Sequence, residues 1–258
     1  MQKALRNLIF ILLIAIQGVT FAQSFSIKPY AGYATVQMKE VNAGIEARVE
    51  SLTGLTGVPV PQPDPFKGNL AWGIQFGYHL EDNYYLTLDT YFFSEDSKIH
   101  YRDESQGYQV IFDNMRNIKL FEASFGMKYL FNYSSWKRFN FYVGGGIGLA
   151  IGWSETFFWY SDETNFVNNK GDFSSIALAG HIMGGLTIRF SPTISLEPEI
   201  GYRAANLAQM EGELRFSQNF PNIPGGQSEG VDNQFQTEEN YNFSGFFVNI
   251  GLQFAFSF

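Results

Sequence analysis

The sequence contains no cysteine. This excludes disulfide bonds, cysteine-based metal sites, a thiol nucleophile and a lipid-modified N-terminal cysteine. Beyond the N-terminus the chain also lacks any apolar run of eighteen or more residues, so that part of it offers no transmembrane helix. Only 16% of the residues are charged, and acids outnumber bases to give a formal net charge of -8. Nucleic-acid binding requires a basic surface, so we expect no nucleic-acid partner.

The first 22 residues have the features of a secretory signal peptide. Lys3 and Arg6 precede an apolar stretch over residues 8–16, and the small residues Thr20 and Ala22 precede a cleavage site ahead of Gln23. An uncleaved membrane anchor is the alternative, but the apolar stretch is short for a membrane span. We therefore predict a signal peptide over residues 1–22 and a single domain over residues 23–258.

The stretch 243–258 alternates between two kinds of side chain. From Phe246 to Phe258 the even-numbered residues are all apolar, while the odd-numbered ones, such as Asn249, Gly251 and Gln253, are mostly small or polar. This period is that of a strand with different surroundings on its two faces. The second face is small and uncharged, which suits a narrow polar interior, and the apolar face then suits lipid.

The same alternation predicts eight strands. They cover residues 24–34, 69–80, 84–94, 117–131, 139–154, 174–190, 194–207 and 243–258. The connections after strands one, three, five and seven are long, with a possible short helix over residues 42–55, and the others are short. Pairing Arg189 with Ser195 across a tight turn keeps the polar faces on one side. These features predict an all-β fold, an eight-stranded antiparallel up-and-down transmembrane β-barrel.

The terminal Phe258 and the segment from Leu196 to Arg203 (LEPEIGYR) add family features. The chain resembles, over essentially all of residues 23–258, the small outer-membrane β-barrel family typified by the OmpA transmembrane domain, OmpX and OmpW. The resemblance implies an outer-membrane location, surrounding outer-membrane lipid and both mature termini in the periplasm. It also implies recognition by the barrel assembly machinery through Phe254, Phe256 and Phe258. Pro198 departs from the pattern because proline donates no ladder hydrogen bond, so we expect a bulge there.

The predicted inward faces carry charges of both signs. They are Lys28, Asp89, Glu122, Lys128, His181, Arg189, Glu197, Glu199 and Arg203. One interpretation is a selectivity filter or a proton relay. The other is a mutually neutralising plug, which we expect because side chains fill an eight-stranded barrel and buried ions persist only in pairs.

Other motifs give weaker signals. The glycines between Gly144 and Gly152 lack both the P-loop pattern and the third glycine of a dinucleotide fingerprint, so we interpret them as bare strand surface beside bulky neighbours such as Tyr142. Some barrels of this family are lipid A-modifying enzymes with a rim histidine, which makes His100, near Asp96 and Ser97, the one catalytic candidate. We predict no cofactor and no metal.

Aromatic residues cluster where the strands should meet the membrane interfaces, and they include the run 157–160. Acids outnumber bases over residues 211–240, which we interpret as simple solvation in preference to bridging by divalent cations. The favoured function is non-enzymatic, a porin-family-like or structural surface protein with long extracellular loops. Three alternatives stay open: a conduit for small hydrophobic molecules, a lipid A-modifying enzyme, and a soluble lipocalin-like barrel with inverted faces.

Overall fold

The computed structural model describes residues 24–56, 59–81, 83–104, 109–131, 138–221 and 226–257. The predicted signal peptide, Phe258 and most of the connection 132–138 lie outside these residues.

The described residues form eleven strands and one helix. In chain order they are β1 (Ser24–Thr35), α1 (Lys39–Thr56), β2 (Gly68–Glu81), β3 (Tyr84–Asp103), β4 (Val110–Leu130), β5 (Phe139–Ser161), β6 (Phe166–Arg189), β7 (Ile194–Leu207), β8 (Glu211–Asn219), β9 (Gln227–Gln236), β10 (Tyr241–Asn242) and β11 (Gly245–Ser257).

Eight of these strands close into an antiparallel ring. The order is β1, β2, β3, β4, β5, β6, β7 and β11, and β11 pairs with β1 again. Closure leaves no open edge within the ring, so the backbone groups are paired inside the protein, as a bilayer requires. The predicted number and order of barrel strands are confirmed, and so is the pairing of Arg189 with Ser195.

The bulge predicted at Pro198 is wrong. Pro198 lies opposite Ile250 of β11 in an unbroken register. On its other side, β7 keeps the same register with β6 from the pair Gly185 and Glu199 to the pair Ile188 and Leu196, with two pairs skipped between them. The sheet therefore accommodates the missing N–H of proline by leaving ladder positions open, without inserting a residue.

The predicted long loops are largely strand. β3 and β4 stay paired out to Asp103 and Val110, and β5 and β6 stay paired out to Ser161 and Phe166. Above the ring, β8 pairs with the upper part of β6, and β9 pairs with β8. We call this side of the barrel the long-hairpin end, and the side with the connections at residues 82–83, 131–138 and 190–193 the short-turn end.

Helix α1 packs against the inner faces of the extended hairpins. Its buried residues Val41 and Ile45 join the main core, and Val49 contacts a second core that includes Phe112 and Phe158. The helix predicted over residues 42–55 is therefore confirmed, with slightly wider bounds. No helix in the described part of the chain combines the length and the apolar character needed to cross a bilayer.

Two polar contacts fasten the first long connection. The Asn42 side chain donates Nδ2 to the Phe66 carbonyl at 3.0 Å and accepts the Phe66 amide at 2.9 Å. Glu40 accepts hydrogen bonds from the backbone and side-chain nitrogens of Asn240, each at 3.0 Å. The start of α1 is thus tied both to its own connection and to the chain segment after β9.

The apolar faces of the ring strands point outward. Leu70, Ile147 and Leu178 are 71%, 78% and 81% exposed. The residues that alternate with the apolar ones along each ring strand face inward and are mostly buried or half-buried. The soluble lipocalin-like alternative is wrong, because it requires these same apolar side chains to converge on the barrel axis. We call this outer surface the apolar belt.

The apolar face changes sides along the strands. In β4 the exposed Phe125 and Met127 are odd-numbered, whereas the buried Phe112, Ile118 and Leu120 nearer the long-hairpin end are even-numbered and face inward. The same change occurs at the start of β11. Phe246 is exposed on the outer face of the barrel, whereas Phe243, just before the strand and nearer the long-hairpin end, is buried. The strands therefore leave apolar surroundings at this level and enter a region with water outside and a protein core inside.

We predict that Asn42→Ala loosens the first long connection without opening the barrel. Loss of two partly buried hydrogen bonds should cost about 1–3 kcal/mol of local stability, because each contributes about 1 kcal/mol. Limited proteolysis of the folded protein should then cleave within residues 39–67 several times faster than in the wild type. Asn233→Ala, at an exposed position on β9, is the matched control and should leave the cleavage rate unchanged. Equal rates in the two variants would contradict this role of Asn42.

Candidate functional site: the barrel lumen

Strand alternation places charged side chains from most of the ring strands inside one narrow bore. Eight of the nine predicted lumen residues are buried there, with 1–8% exposure: Lys28, Asp89, Glu122, Lys128, His181, Glu197, Glu199 and Arg203. The ninth, Arg189, is half-buried near the short-turn end of β6.

Four of these residues form one ionic cluster. Lys28 Nζ donates to Glu199 Oε2 at 2.7 Å and lies 3.4 Å from Glu197 Oε2. Lys128 Nζ donates to the same Glu197 oxygen at 2.9 Å. Two ammonium groups therefore share two carboxylates, and the cluster is neutral.

Neutral side chains donate further hydrogen bonds to the two carboxylates of this cluster. Tyr142 donates its hydroxyl to Glu199 Oε2 at 2.9 Å, and Asn249 donates Nδ2 to Glu199 Oε1 at 3.1 Å. Thr187 donates its hydroxyl to Glu197 Oε1 at 3.1 Å. Because a buried ion pair is tolerated only when its other lone pairs are also satisfied, these groups are part of the cluster.

A second cluster lies beside the first and centres on Glu122. Arg203 Nε donates to Glu122 Oε2 at 2.6 Å, and His181 Nδ1 lies 3.4 Å from Glu122 Oε1. The Arg203 guanidinium carbon lies 3.2 Å from the centre of the Tyr91 ring and 5.3 Å from that of Phe247. The arginine is thus held by a carboxylate on one side and by aromatic faces on the other.

Asp89 is joined to Gln75, which donates its side-chain amide to Asp89 Oδ1. The cavity that Asp89 shares with the Glu122 cluster has a volume of about 10 Å³. This is room for about one water molecule. Side chains therefore fill the bore at this level.

Two glycines make room for this packing. A Cβ atom on Gly251 would lie 2.6 Å from the Lys28 side chain, and one on Gly185 would lie 2.5 Å from the Tyr142 ring and hydroxyl. The sequence pattern identified bare strand surface beside bulky neighbours but did not identify these pairs.

An apolar core closes the bore above the ions, toward the long-hairpin end. It includes Phe93, Leu207, Met210 and Phe243, together with Met38 and the first turns of α1. The upper lumen is therefore apolar, and it is filled.

The catalytic candidate His100 lies on the outer face of the β3–β4 hairpin. Its Nδ1 contacts Asp113, the residue directly opposite on β4, and its side chain is 65% exposed. Ser97 is buried on the other face and donates its hydroxyl to the Asp64 carbonyl at 2.8 Å. The structure therefore does not assemble His100 with Ser97. Among the residues it describes, no group of three His, Asp or Glu side chains could hold a metal ion.

The aromatic residues divide between two environments. Trp153 is exposed at the upper margin of the apolar belt, and Phe256 is exposed near the short-turn end with Phe254 half-buried beside it. Phe158 and Tyr160 instead belong to the second core under α1, so their predicted place in an interfacial belt is wrong. Phe158 and Tyr160 alternate along β5 with Phe157 and Trp159. The even-numbered residues of this part of β5 face inward, so Phe158 and Tyr160 are the two that are buried.

Sequence reasoning did not identify the neutral members of the lumen clusters as partners of the charges. Parity placed Gln75, Thr187 and Asn249 on the inward faces of their strands, and the structure confirms that they are buried there. Parity gives no partner across the bore, because Glu122 and Arg203 are separated by 81 residues.

No protein-family model matches the chain, and no curated protein matches it. The solved structures that it resembles include small outer-membrane β-barrel proteins. Neisserial surface protein A matches with a TM-score of 0.44 and 12% identity over 90% of this chain and 97% of that one. OprG from Pseudomonas aeruginosa matches with a TM-score of 0.40 and 13% identity over 93% and 98% of the two chains. The N-terminal β-barrel domain of OprF from the same organism matches with a TM-score of 0.37 and 13% identity over 90% and 97%.

We predict that Arg203→Met destabilises the barrel by about 3–5 kcal/mol, because it leaves the Glu122 carboxylate buried without its cation. The double variant Glu122→Leu with Arg203→Met should recover most of this loss, since it removes both charges. Urea unfolding of the protein in lipid vesicles measures each free energy. A double variant less stable than Arg203→Met would contradict the pairing.

Proposed function

We propose that this protein is a non-enzymatic outer-membrane barrel with a sealed lumen, and that it acts at the cell surface through its extended hairpins and α1. The observation that carries the proposal is the filled bore, in which neutralised ion clusters lie beneath an apolar core. A chain with this interior is suited to a structural or surface-contact role and poorly suited to passing solutes.

The apolar belt supports the membrane location. Its most exposed side chains, Leu178, Ile147 and Leu70, come from three strands of the ring. A monomeric protein in water rarely exposes a continuous apolar surface of this extent. The short-turn end would then face the periplasm and the long-hairpin end the exterior. Export by the N-terminal signal, contact with outer-membrane lipid and recognition of Phe254, Phe256 and Phe258 by the barrel assembly machinery belong to the same proposal.

The long-hairpin end has the order needed for a contact surface. At the tip between β5 and β6, Asp162 accepts the Thr164 and Asn165 amides at 2.9 and 2.7 Å and the Tyr160 hydroxyl at 2.6 Å. Partial burial raises the pKa of Asp162, but the hydrogen bonds from Asn165, Tyr160 and the backbone amides outweigh it, so the pKa lies below its ordinary value. The tip therefore keeps this carboxylate ionised at neutral pH.

Two other functions are less well supported. A conduit for small hydrophobic molecules needs a hollow apolar upper lumen, whereas Phe93, Leu207 and Met210 occupy that space. A lipid A-modifying enzyme needs a nucleophile beside His100, whereas Ser97 is buried on the opposite face of the hairpin and donates its hydroxyl to the Asp64 carbonyl.

We predict that Ile182→Lys destabilises the vesicle-embedded barrel by about 2–4 kcal/mol, because Ile182 is 68% exposed midway between Ser174, which pairs with Trp153, and the short-turn end of β6, so a lysine there faces the middle of the bilayer. Val231→Lys is the matched control, because Val231 is 56% exposed on β9, beyond the ring. It should change the unfolding free energy by less than about 0.5 kcal/mol. Urea unfolding in vesicles measures both. Equal changes in the unfolding free energy for the two substitutions would contradict the assignment of the apolar belt to the membrane.

We predict that the protein gives no large, stable conductance steps in planar lipid bilayers, because the ion clusters and the apolar core close the bore. A general porin measured in the same bilayers is the positive control for conductance. Heat-modifiable gel mobility establishes that the inserted protein is folded. Stable steps comparable to those of the porin would contradict a sealed lumen while leaving the barrel fold intact.

A further inference from the structure

The small cavity beside Asp89 brings together three buried oxygen atoms without partners. It is the cavity of about 10 Å³ that Asp89 shares with the Glu122 cluster, and its wall includes Ser124 and Asn249. Asp89, Ser124 and Asn249 are 6%, 2% and 2% exposed. Asp89 Oδ2, Ser124 Oγ and Asn249 Oδ1 have no hydrogen-bond partner in the structure. We call this place the Asp89 cavity.

The neighbours of these side chains explain which oxygens are left over. Gln75 donates its amide to Asp89 Oδ1, so Oδ2 is the free end of the carboxylate. Asn249 turns its Nδ2 toward Glu199, which as a carboxylate only accepts hydrogen bonds, so its carbonyl oxygen is the free end. Ser124 lies directly opposite Asp89 on β4, and its one proton can serve only one acceptor. The cavity wall therefore has a surplus of acceptors, which suits a positively charged ligand.

The bore also lacks one positive charge at this level. The ion clusters pair three basic side chains with three carboxylates: Lys28 with Glu199, Lys128 with Glu197 and Arg203 with Glu122. Asp89 is a fourth buried carboxylate, and it accepts from the neutral Gln75 amide. Arg189 lines a separate cavity at the short-turn end and not this one. A buried charge is stable only when it is balanced, so Asp89 requires a further cation.

His181 lines the same cavity and carries a charge only when it is protonated. Its Nδ1 lies 3.4 Å from Glu122 Oε1. Glu122 already has a cationic partner, because Arg203 Nε donates to its other oxygen at 2.6 Å. A proton on His181 Nδ1 would therefore be directed at Glu122 and not at Asp89.

We propose that the Asp89 cavity binds one monovalent cation of the size of sodium, with oxygens of Asp89, Ser124 and Asn249 as its ligands. Carboxylate, hydroxyl and amide oxygens are the ligands that hard cations take. The volume admits a single guest of about the size of a water molecule. A set with one carboxylate differs from the groups of three His, Asp or Glu side chains that hold divalent metals.

A divalent ion fits the Asp89 cavity less well. It would replace one missing positive charge by one in excess. Ca²⁺ and Mg²⁺ also take about six or more oxygen ligands, which is more than a cavity of this volume supplies. The site lies in the ring and is independent of the surface role of the hairpins and α1.

Urea unfolding in phosphatidylcholine vesicles tests the proposal. The protein is folded in sodium chloride or in N-methylglucamine chloride of equal ionic strength, so that the cation does not have to cross the closed bore. A cation that binds only the folded chain stabilises it by mass action. The apparent unfolding constant should therefore fall about tenfold at a sodium concentration about ten times the Kd. An unfolding constant that is the same in both salts would overturn the proposal and leave the sealed barrel intact.

Variants of the ligands locate the effect. Asp89→Asn should abolish the response to sodium, and in N-methylglucamine it should be at least as stable as the wild type, because the unbalanced charge is gone. Ser124→Ala should weaken the response a few fold. Glu229→Gln, at an exposed position on β9, is the matched control and should keep the full response. A full response in Asp89→Asn would overturn the site.

Chemical-shift mapping of the wild type needs no variant. Replacement of N-methylglucamine by sodium should shift the Asn249 side-chain amide and the Ser124 backbone amide and leave the resonances of Val231 in place. Shifts confined to the long-hairpin end would contradict the Asp89 cavity. A sodium response that is absent in the wild type and present in His181→Gln would assign the balancing charge to a proton on His181, and would also overturn the proposal.

Discussion

The narrow bore of an eight-stranded ring is the constraint on which the rest of the structure depends. Its inward side chains have almost no water to face, so a buried charge needs a polar partner there, which is an opposite charge for most of these residues and the Gln75 amide for Asp89. The contacts of Lys28 with Glu199, of Lys128 with Glu197 and of Arg203 with Glu122 meet this condition. The sealed lumen follows from that packing. The extended hairpins and α1 are left as the ordered part of the protein that lies outside both the apolar belt and the ion clusters.

A change of surroundings along each strand explains why the hairpins were predicted as loops. In β4, the odd-numbered apolar residues within the belt, such as Phe125, face outward, whereas the even-numbered ones above it, such as Phe112, face inward. When the apolar residues move from the outward to the inward positions of a strand, the alternation followed from the sequence breaks off, and the strand is taken to end there. The backbone ladder between β3 and β4 continues through the reversal, because hydrogen bonding does not depend on which face is apolar.

The candidate site was predictable to different degrees at different levels. Strand parity identified the inward charges, and eight of the nine side chains are buried in the ring. Partnership was not predictable, because it joins residues of distant strands, such as Lys28 and Glu199, which are 171 residues apart. Burial of Tyr142 over Gly185 and of Lys28 over Gly251 is a property of the assembled interior, where one bare position receives the side chain of another strand.

The sequence by itself determined the architecture of the ring, because alternation with period two fixes which face of each strand is apolar and short turns fix which strands are neighbours. It also determined that α1 would interrupt the first long connection. The tertiary structure decided how far the hairpins extend, which ions pair, and that a core beneath α1 closes the lumen. Those features depend on the distances between segments far apart in the chain, which a local pattern does not contain.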